Sequence, residues 1–354
     1  MHAFSKTPRT VARLALFAVA LVPALVPCPA AAEPGRTRTI QENNRPDPKT
    51  FARGRLDLVD FKEPSIFHDP AEDTPDAQLA RAKRLEERGR HGAAASAYDA
   101  LVHEWHNDPS APVAQLGVAR MFAARGKRVR AFQEYQYAID FFQGSFDFNA
   151  VIEEQFKLAS ELRAEIGTGF LGMGGESSVD GVANLFRLVA RNAPDWSRAP
   201  DCYLQMGLTY EENGKYDEAT QPYESLLMRY PTSPAAEKAM FRLAMCRAVL
   251  AQKFPRDSLQ QRFAVSALRA VLAAQPDHPE ADRAKKILAS LESHVAQLDF
   301  EAAAFYDRPS LGKPKSALIA YRSFLRQHPD SAFSKTAIER IQALQKSIDE
   351  SETP

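Results

Sequence analysis

Neither sign of charge is in excess: 45 lysines and arginines meet 45 aspartates and glutamates over 354 residues, so nothing in the balance steers the chain toward nucleic acid. Cysteine is scarce. Of Cys28, Cys202 and Cys246, the last two each fall in the first helix of a predicted repeat, about seven positions apart in height, or ~10 Å at ~1.5 Å per residue, beyond the ~7 Å reach of a disulfide. Free, buried thiols are expected. Catalytic constellations are missing as well. There is no serine in a nucleophile elbow, no Cys-His pairing pattern, and no pair of carboxylates outside solvated helix faces, which argues against an enzyme and gives no cofactor a place. His103-Glu104-Trp105-His106 has its histidines three apart, where a zinc helix needs four, and reads as a surface helix end. Gly167, Gly169 and Gly172 spell a dinucleotide-like G-x-G-x-x-G, but a long helix rather than a strand precedes them.

Long apolar runs are confined to the start. Arg9 and Arg13 precede the stretch from Leu14 to Val26, which is followed by Ala30-Ala31-Ala32, a small-x-small cleavage signal. Residues 1–32 read as a secretory signal peptide. The stretch falls short of the ~20 residues needed to span a bilayer, and Pro23 and Pro27 interrupt it, which argues against a retained anchor. Pro27 directly before Cys28 also argues against lipidation, a signal that wants a small residue there. The chain is therefore expected to be exported, with residues 33–75 forming an extended, proline-containing leader.

What is present is a repeat. In residues 199–233, bulky Tyr203, Met206, Tyr210, Tyr216 and Tyr223 alternate with small Gly207 and Ala219 at helical spacing, so two antiparallel helices can approach closely. Asn213-Gly214 breaks the two helices apart, and Pro231 ends the second. This pattern resembles a tetratricopeptide repeat. Related units occupy residues 76–145, with Leu79, Ala82, Ala94 and Tyr98 followed by Ala119, Ala131 and Tyr135, and residues 146–194 form a split repeat around the Gly-rich stretch. Ala219 to Pro231, Ala264 to Pro276 and Ala317 to Pro329 span the same interval, and Tyr321 holds the place of Tyr223. The fold class expected is all-α, a tetratricopeptide-repeat solenoid of about six helix pairs, with a capping helix ending at residue 348 and a disordered tail over 349–354.

Such a stack lines its concave face with the first helices. Solvent-facing positions there, the candidate partner-binding residues, are Leu79, Lys83, Glu86, Leu116, Arg120, Leu204, Leu208, Glu211 and Glu212.

Residues 195–348, and in particular RYPTSPAAEKAMFRLAMC, the long run from Arg283 into Phe305-Tyr306, and SALIAYRSFLRQHPDSAF, resemble the BamD (YfiO-like) component of the β-barrel assembly machinery. The resemblance implies a periplasmic scaffold at the periplasmic face of the outer membrane, docking on the assembly machinery and receiving unfolded β-barrel substrates. Family members are usually lipoproteins, and residues 76–145 precede the family-like part. A general exported scaffold of a cell-wall or division complex is the alternative reading.

Overall fold

The computed structural model describes residues 69–166 and 178–352. The expected signal peptide, Cys28, most of the leader and most of the Gly-rich stretch lie outside the described residues. What is described belongs to one unit, Pro46–Pro354.

Among the described residues thirteen α-helices follow one another: α1 (Pro75–Glu87), α2 (His91–Glu104), α3 (Ala111–Ala124), α4 (Arg128–Phe141), α5 (Phe148–Glu165), α6 (Val179–Asn192), α7 (Ala199–Glu212), α8 (Tyr216–Arg229), α9 (Pro234–Lys253), α10 (Ser258–Ala274), α11 (Ala281–Tyr306), α12 (Pro314–Gln327) and α13 (Ser334–Glu352). Each packs on the next, giving six pairs and a closing helix. Odd-numbered helices are the first members of their pairs. The α5–α6 pair packs like the others, so the Gly-rich stretch interrupts a connection and not the pairing.

Local chemistry sets the helix ends. Thr74, Asp147, Ser178, Ser233 and Asp257 each accept a bond from a first-turn amide, which starts α1, α5, α6, α9 and α10. Gly89, Gly126 and Gly214 end α1, α3 and α7 in the left-handed conformation, with φ of 68, 73 and 72°. The residue after each glycine returns its N–H to a carbonyl inside the helix, Arg90 to Leu85, Lys127 to Phe122 and Lys215 to Tyr210, at 2.9 to 3.0 Å.

The core is a series of tyrosines seated among small residues. Tyr98, Tyr223 and Tyr321 are fully or almost fully buried, each one helical turn after a fully buried alanine: Ala94, Ala219 and Ala317. Gly207 and Gly117 make room for the first two rings. A Cβ on Gly207 would lie 2.2 Å from the Tyr223 ring, and one on Gly117 would lie 2.8 Å from that of Tyr98. Ala264 is buried in the same role on α10, Tyr210 is buried, and Tyr203 is half-buried against Tyr230. Pro231 and Pro329 lie exposed in return turns. Cys202 and Cys246 are free and buried, with burial pushing both thiols up to about 12.

One feature differs from expectation at the C-terminal end. Helix α13 continues past residue 348 to Glu352, where a disordered tail was expected from 349; Gln345 bonds Asp349 at 3.1 Å and Lys346 pairs with Glu350 at 3.8 Å, one turn apart. Helix α11 has 26 residues, ~39 Å at ~1.5 Å per residue. Its first half, through Leu291 and Val295, packs with α9 and α10, and its second half, through Ala296 and Ala303, with α12 and α13.

Candidate interaction surface

The nine residues expected on the first-helix face divide into four groups. Leu204 is buried, in one cluster with Ala239 and Leu243 of α9; that expectation of a solvent-facing position fails because the following repeat covers it. Leu79, Leu116 and Leu208 are half-buried and lean on neighbouring clusters, leaving part of each side chain open. Lys83 and Arg120 are exposed, as is Glu212, whose carboxylate takes a 2.5 Å bond from Arg163 of α5.

Glu86 and Glu211 are not free surface acids. The Tyr98 hydroxyl donates to Glu86 at 2.5 Å, and Arg120, from the next repeat, lies 3.5 Å from the same carboxylate. The Tyr223 hydroxyl donates to Glu211 at 2.7 Å, and Arg242 of α9 meets that carboxylate at 3.1 Å. A third copy sits at the far end. Tyr321 donates to Asp307 at 3.2 Å, and Arg340 of α13 grips Asp307 through two bonds of 2.7 and 2.9 Å. In each copy the acid comes from the end of a first helix, the tyrosine from the second helix of the same pair, and the arginine from the first helix of the next. The motif thus fastens one repeat to its successor. Burial first, then the neighbouring carboxylate, pushes the hydroxyls of Tyr98 and Tyr223 far above the usual tyrosine range and that of Tyr321 up to about 12, so all three remain donors.

Sequence patterning misses this arrangement because the arginine belongs to another repeat. A search for shared offsets would have found Glu86 with Tyr98 and Glu211 with Tyr223, which are equally spaced. It also misses a bridge across the last repeats, where Asp299 of α11 accepts from Arg262 of α10 at 2.5 Å and His328 at 2.8 Å. A cavity of about 510 Å³ lies beside that bridge, between α10, α11 and the end of α12, with Arg269, Glu292 and Gln327 on its wall. Arg269 and Glu292 are paired at 2.6 Å, so this wall is already neutralised. His103 pairs with Asp99 at 3.5 Å, and His106 packs in an aromatic cluster 4.8 Å from Phe142; the two histidines do not converge.

The two edges of the helix stack differ in charge. Turns leading from a first to a second helix carry Arg88 and Arg90, Arg125 and Lys127, Lys253 and Arg256, and Arg308 and Lys313. Their acids are engaged: Asp257 caps α10 and Asp307 holds Tyr321 and Arg340. The return turns carry Asp108, Asp147, Asp195, Asp277, Glu280 and Asp330, with Arg198 as their cation.

Residues 205–353 match the family described as YfiO, outer membrane lipoprotein, and residues 79–146 match a tetratricopeptide-repeat family. No curated protein matches the chain. Among solved structures, it is similar to a thermophilic tetratricopeptide-repeat protein of Thermus thermophilus, with 16% identity over 61% of this chain and 100% of that one, at a TM-score of 0.31. It is also similar to a tetratricopeptide-repeat protein of Parabacteroides merdae, with 13% identity over 77% and 98%, at a TM-score of 0.29. A third is MamA of Desulfovibrio magneticus, with 13% identity over 59% and 98%, at a TM-score of 0.29. Proteins of the two matched families are typically protein-interaction scaffolds without catalysis. With helix pairs stacked one on the next, tyrosines seated on small residues, and both family matches in the described helices, the chain has a tetratricopeptide-repeat fold whose C-terminal part, residues 205–353, matches the YfiO family.

Proposed function

We propose that the chain is a non-enzymatic, exported scaffold at the periplasmic face of the outer membrane, a BamD-like factor in the assembly of β-barrel proteins. The YfiO match over residues 205–353 carries this reading. The apolar segment from Leu14 to Val26 before Ala30-Ala31-Ala32 supports export, with cleavage after Ala32 and no lipid on Cys28. Its partners are proteins: the assembly machinery and unfolded barrel substrates. The half-open Leu79, Leu116 and Leu208, together with exposed Lys83, Arg120 and Glu212, form the surface proposed to receive an extended segment. A single observation favours the alternative of a general envelope scaffold: the repeats of residues 79–146 lie outside the YfiO match and give the chain a second region for partners.

Co-purification from detergent-solubilised envelope separates the two readings. The assembly role requires a large β-barrel protein to come down with the wild-type chain and to be lost when the exposed Lys83 is reversed in charge. A complex of cell-wall or division proteins without any barrel would overturn it in favour of the alternative.

A further inference from the structure

Four of the turns joining first to second helices gather cations that have no ion-pair partner among the described residues: Arg88 and Arg90, Arg125 and Lys127, Lys253 and Arg256, Arg308 and Lys313. The first two of these turns abut, since a Cβ placed on Gly92 would lie 3.7 Å from the Arg125 guanidinium carbon. Helices α2 and α4, which begin at these turns, have no capping side chain and no acid in the first turn, so their amide ends add to the positive potential. The later two turns bring exposed rings as well. Phe254 is 49% exposed beside Lys253, whose ammonium is 5.6 Å from the ring centroid; Phe305 and Tyr306 are 47% and 42% exposed, with Arg308 4.9 Å over Phe305.

We propose that this edge docks on an anionic lipid surface, with the arginines and lysines at the phosphate level and Phe254, Phe305 and Tyr306 entering the headgroup boundary. The proposal deepens the envelope reading, which supplies the place where such a surface is met, while the edge itself is a property of the turns alone.

Three features favour a bilayer over an acidic protein. The cations sit on turns belonging to repeats at both ends of the stack, each repeat adding at least a helix diameter of ~10 Å, against a Debye length of ~8 Å, so separate anions are needed at each turn. A bilayer supplies them continuously. Aromatic rings flanked by cations match the layering of a membrane interface, where rings settle at the headgroup level and basic side chains reach the phosphates. The return edge has the opposite character: it is acidic, and the rings there, Trp105, Phe146, Trp196 and Tyr230, are half-buried against core clusters, leaving Phe148 as the exposed ring nearest to it. One edge can approach an anionic plane and the other is repelled.

Flotation of the processed chain with vesicles tests this. Vesicles of phosphatidylethanolamine with phosphatidylglycerol should carry the wild type, and vesicles of phosphatidylcholine should leave it at the bottom. Reversing Lys253, Arg256, Arg88 and Arg90 to glutamate should lower binding by about tenfold or more, as should high salt. Phe305→Ser with Tyr306→Ser should weaken it severalfold, and Asp277→Lys with Asp330→Lys on the other edge should leave it intact or raise it. All of these positions are exposed, and a circular-dichroism melt of each variant checks that it folds. Wild type that fails to float with anionic vesicles, or folded edge variants that float as well as wild type, would overturn the proposal. So would edge variants that keep vesicle binding but lose an envelope protein, since the edge would then be a protein interface. Failure of the scaffold reading shows elsewhere, as absence of captured protein in detergent, where no bilayer is present.

Discussion

Replacing Gly207 with alanine is the smallest change that probes the spacing of the helices. On an exposed helix it would stabilise by about 1 kcal/mol, because alanine loses less backbone freedom than glycine. Here the added carbon would meet three atoms of the Tyr223 ring at 2.2, 2.5 and 2.6 Å, where carbon contacts settle at ~3.5–4.0 Å. The ring must retreat by about 1.3 Å or more, yet it is fully buried and its hydroxyl is tied to Glu211 at 2.7 Å. A clash this close falls at the upper end of the about 1–3 kcal/mol that overpacking costs, so it outweighs the propensity gain for a net loss of about 2 kcal/mol. Gly117→Ala meets Tyr98 at 2.8 Å and should lose less. The two tryptophans divide the readout: Trp105 packs with the first repeats and Trp196 with the central ones, so urea melts of Trp105→Phe and Trp196→Phe backgrounds locate the damage. Gly207→Ala should shift the Trp196 signal first, because a repeat leans only on its neighbours. Combined with Tyr223→Leu, which empties the site, the alanine should cost less than it does alone. A Gly207→Ala protein as stable as wild type would refute the close approach on which the repeat register rests.

Glu211→Lys should destabilise by about 1–3 kcal/mol, since it strips the buried Tyr223 hydroxyl of its acceptor and sets a cation against Arg242, whereas Lys83→Glu, on an exposed side chain, should change the melt little. Equal melting of the two variants would mean that the Tyr–acid–Arg motif does not fasten the repeats. Glu134 on α4 is buried, and that burial holds its carboxyl above the usual value despite Arg130 at 2.7 Å and the Gln115 amide at 2.8 Å. The folded chain therefore binds this proton more tightly than the unfolded one, and the group's contribution to stability grows as pH falls from the raised value toward the ordinary carboxylate range near ~4.3. Glu134→Gln should accordingly raise the melting temperature at neutral pH, with the gain vanishing at acidic pH; a gain that grows on acidification would contradict the sign.

The repeat register was legible in the sequence because close approach of two helices leaves a compositional trace. Only small residues fit at these crossings, glycine beneath the Tyr223 ring and alanine one turn before each tyrosine, so Gly207, Ala219 and Ala317 mark them in the sequence itself. The long α11 was legible for a similar reason, since no breaker interrupts Ala281 to Tyr306. What the first helices do with their outward residues was less legible. An offset pattern knows one repeat at a time, and exposure is decided by the next one: Leu204 is covered by α9, and Glu86 and Glu211 are claimed by Arg120 and Arg242 of the following repeats. Local propensity alone would likewise exclude Pro222 from a helix interior, yet it lies buried inside α8.

Fastening has a consequence for where partners can bind. An acid that accepts from a buried tyrosine and pairs with an arginine is costly to redirect, because releasing it strands the hydroxyl. A partner arriving on the first-helix face therefore gains little from Glu86, Glu211 or Asp307 and must draw on what the motif leaves over: the open parts of Leu79, Leu116 and Leu208, and the charges of Lys83 and Glu212. In the first-to-second turns Lys215 is paired with Asp180, but Arg88, Arg90, Arg125, Lys127, Lys253, Arg256, Arg308 and Lys313 carry no such obligation among the described residues. These turn cations line one edge, and the first-helix face offers mainly apolar contact, so the two surfaces are suited to different kinds of partner and can be occupied together.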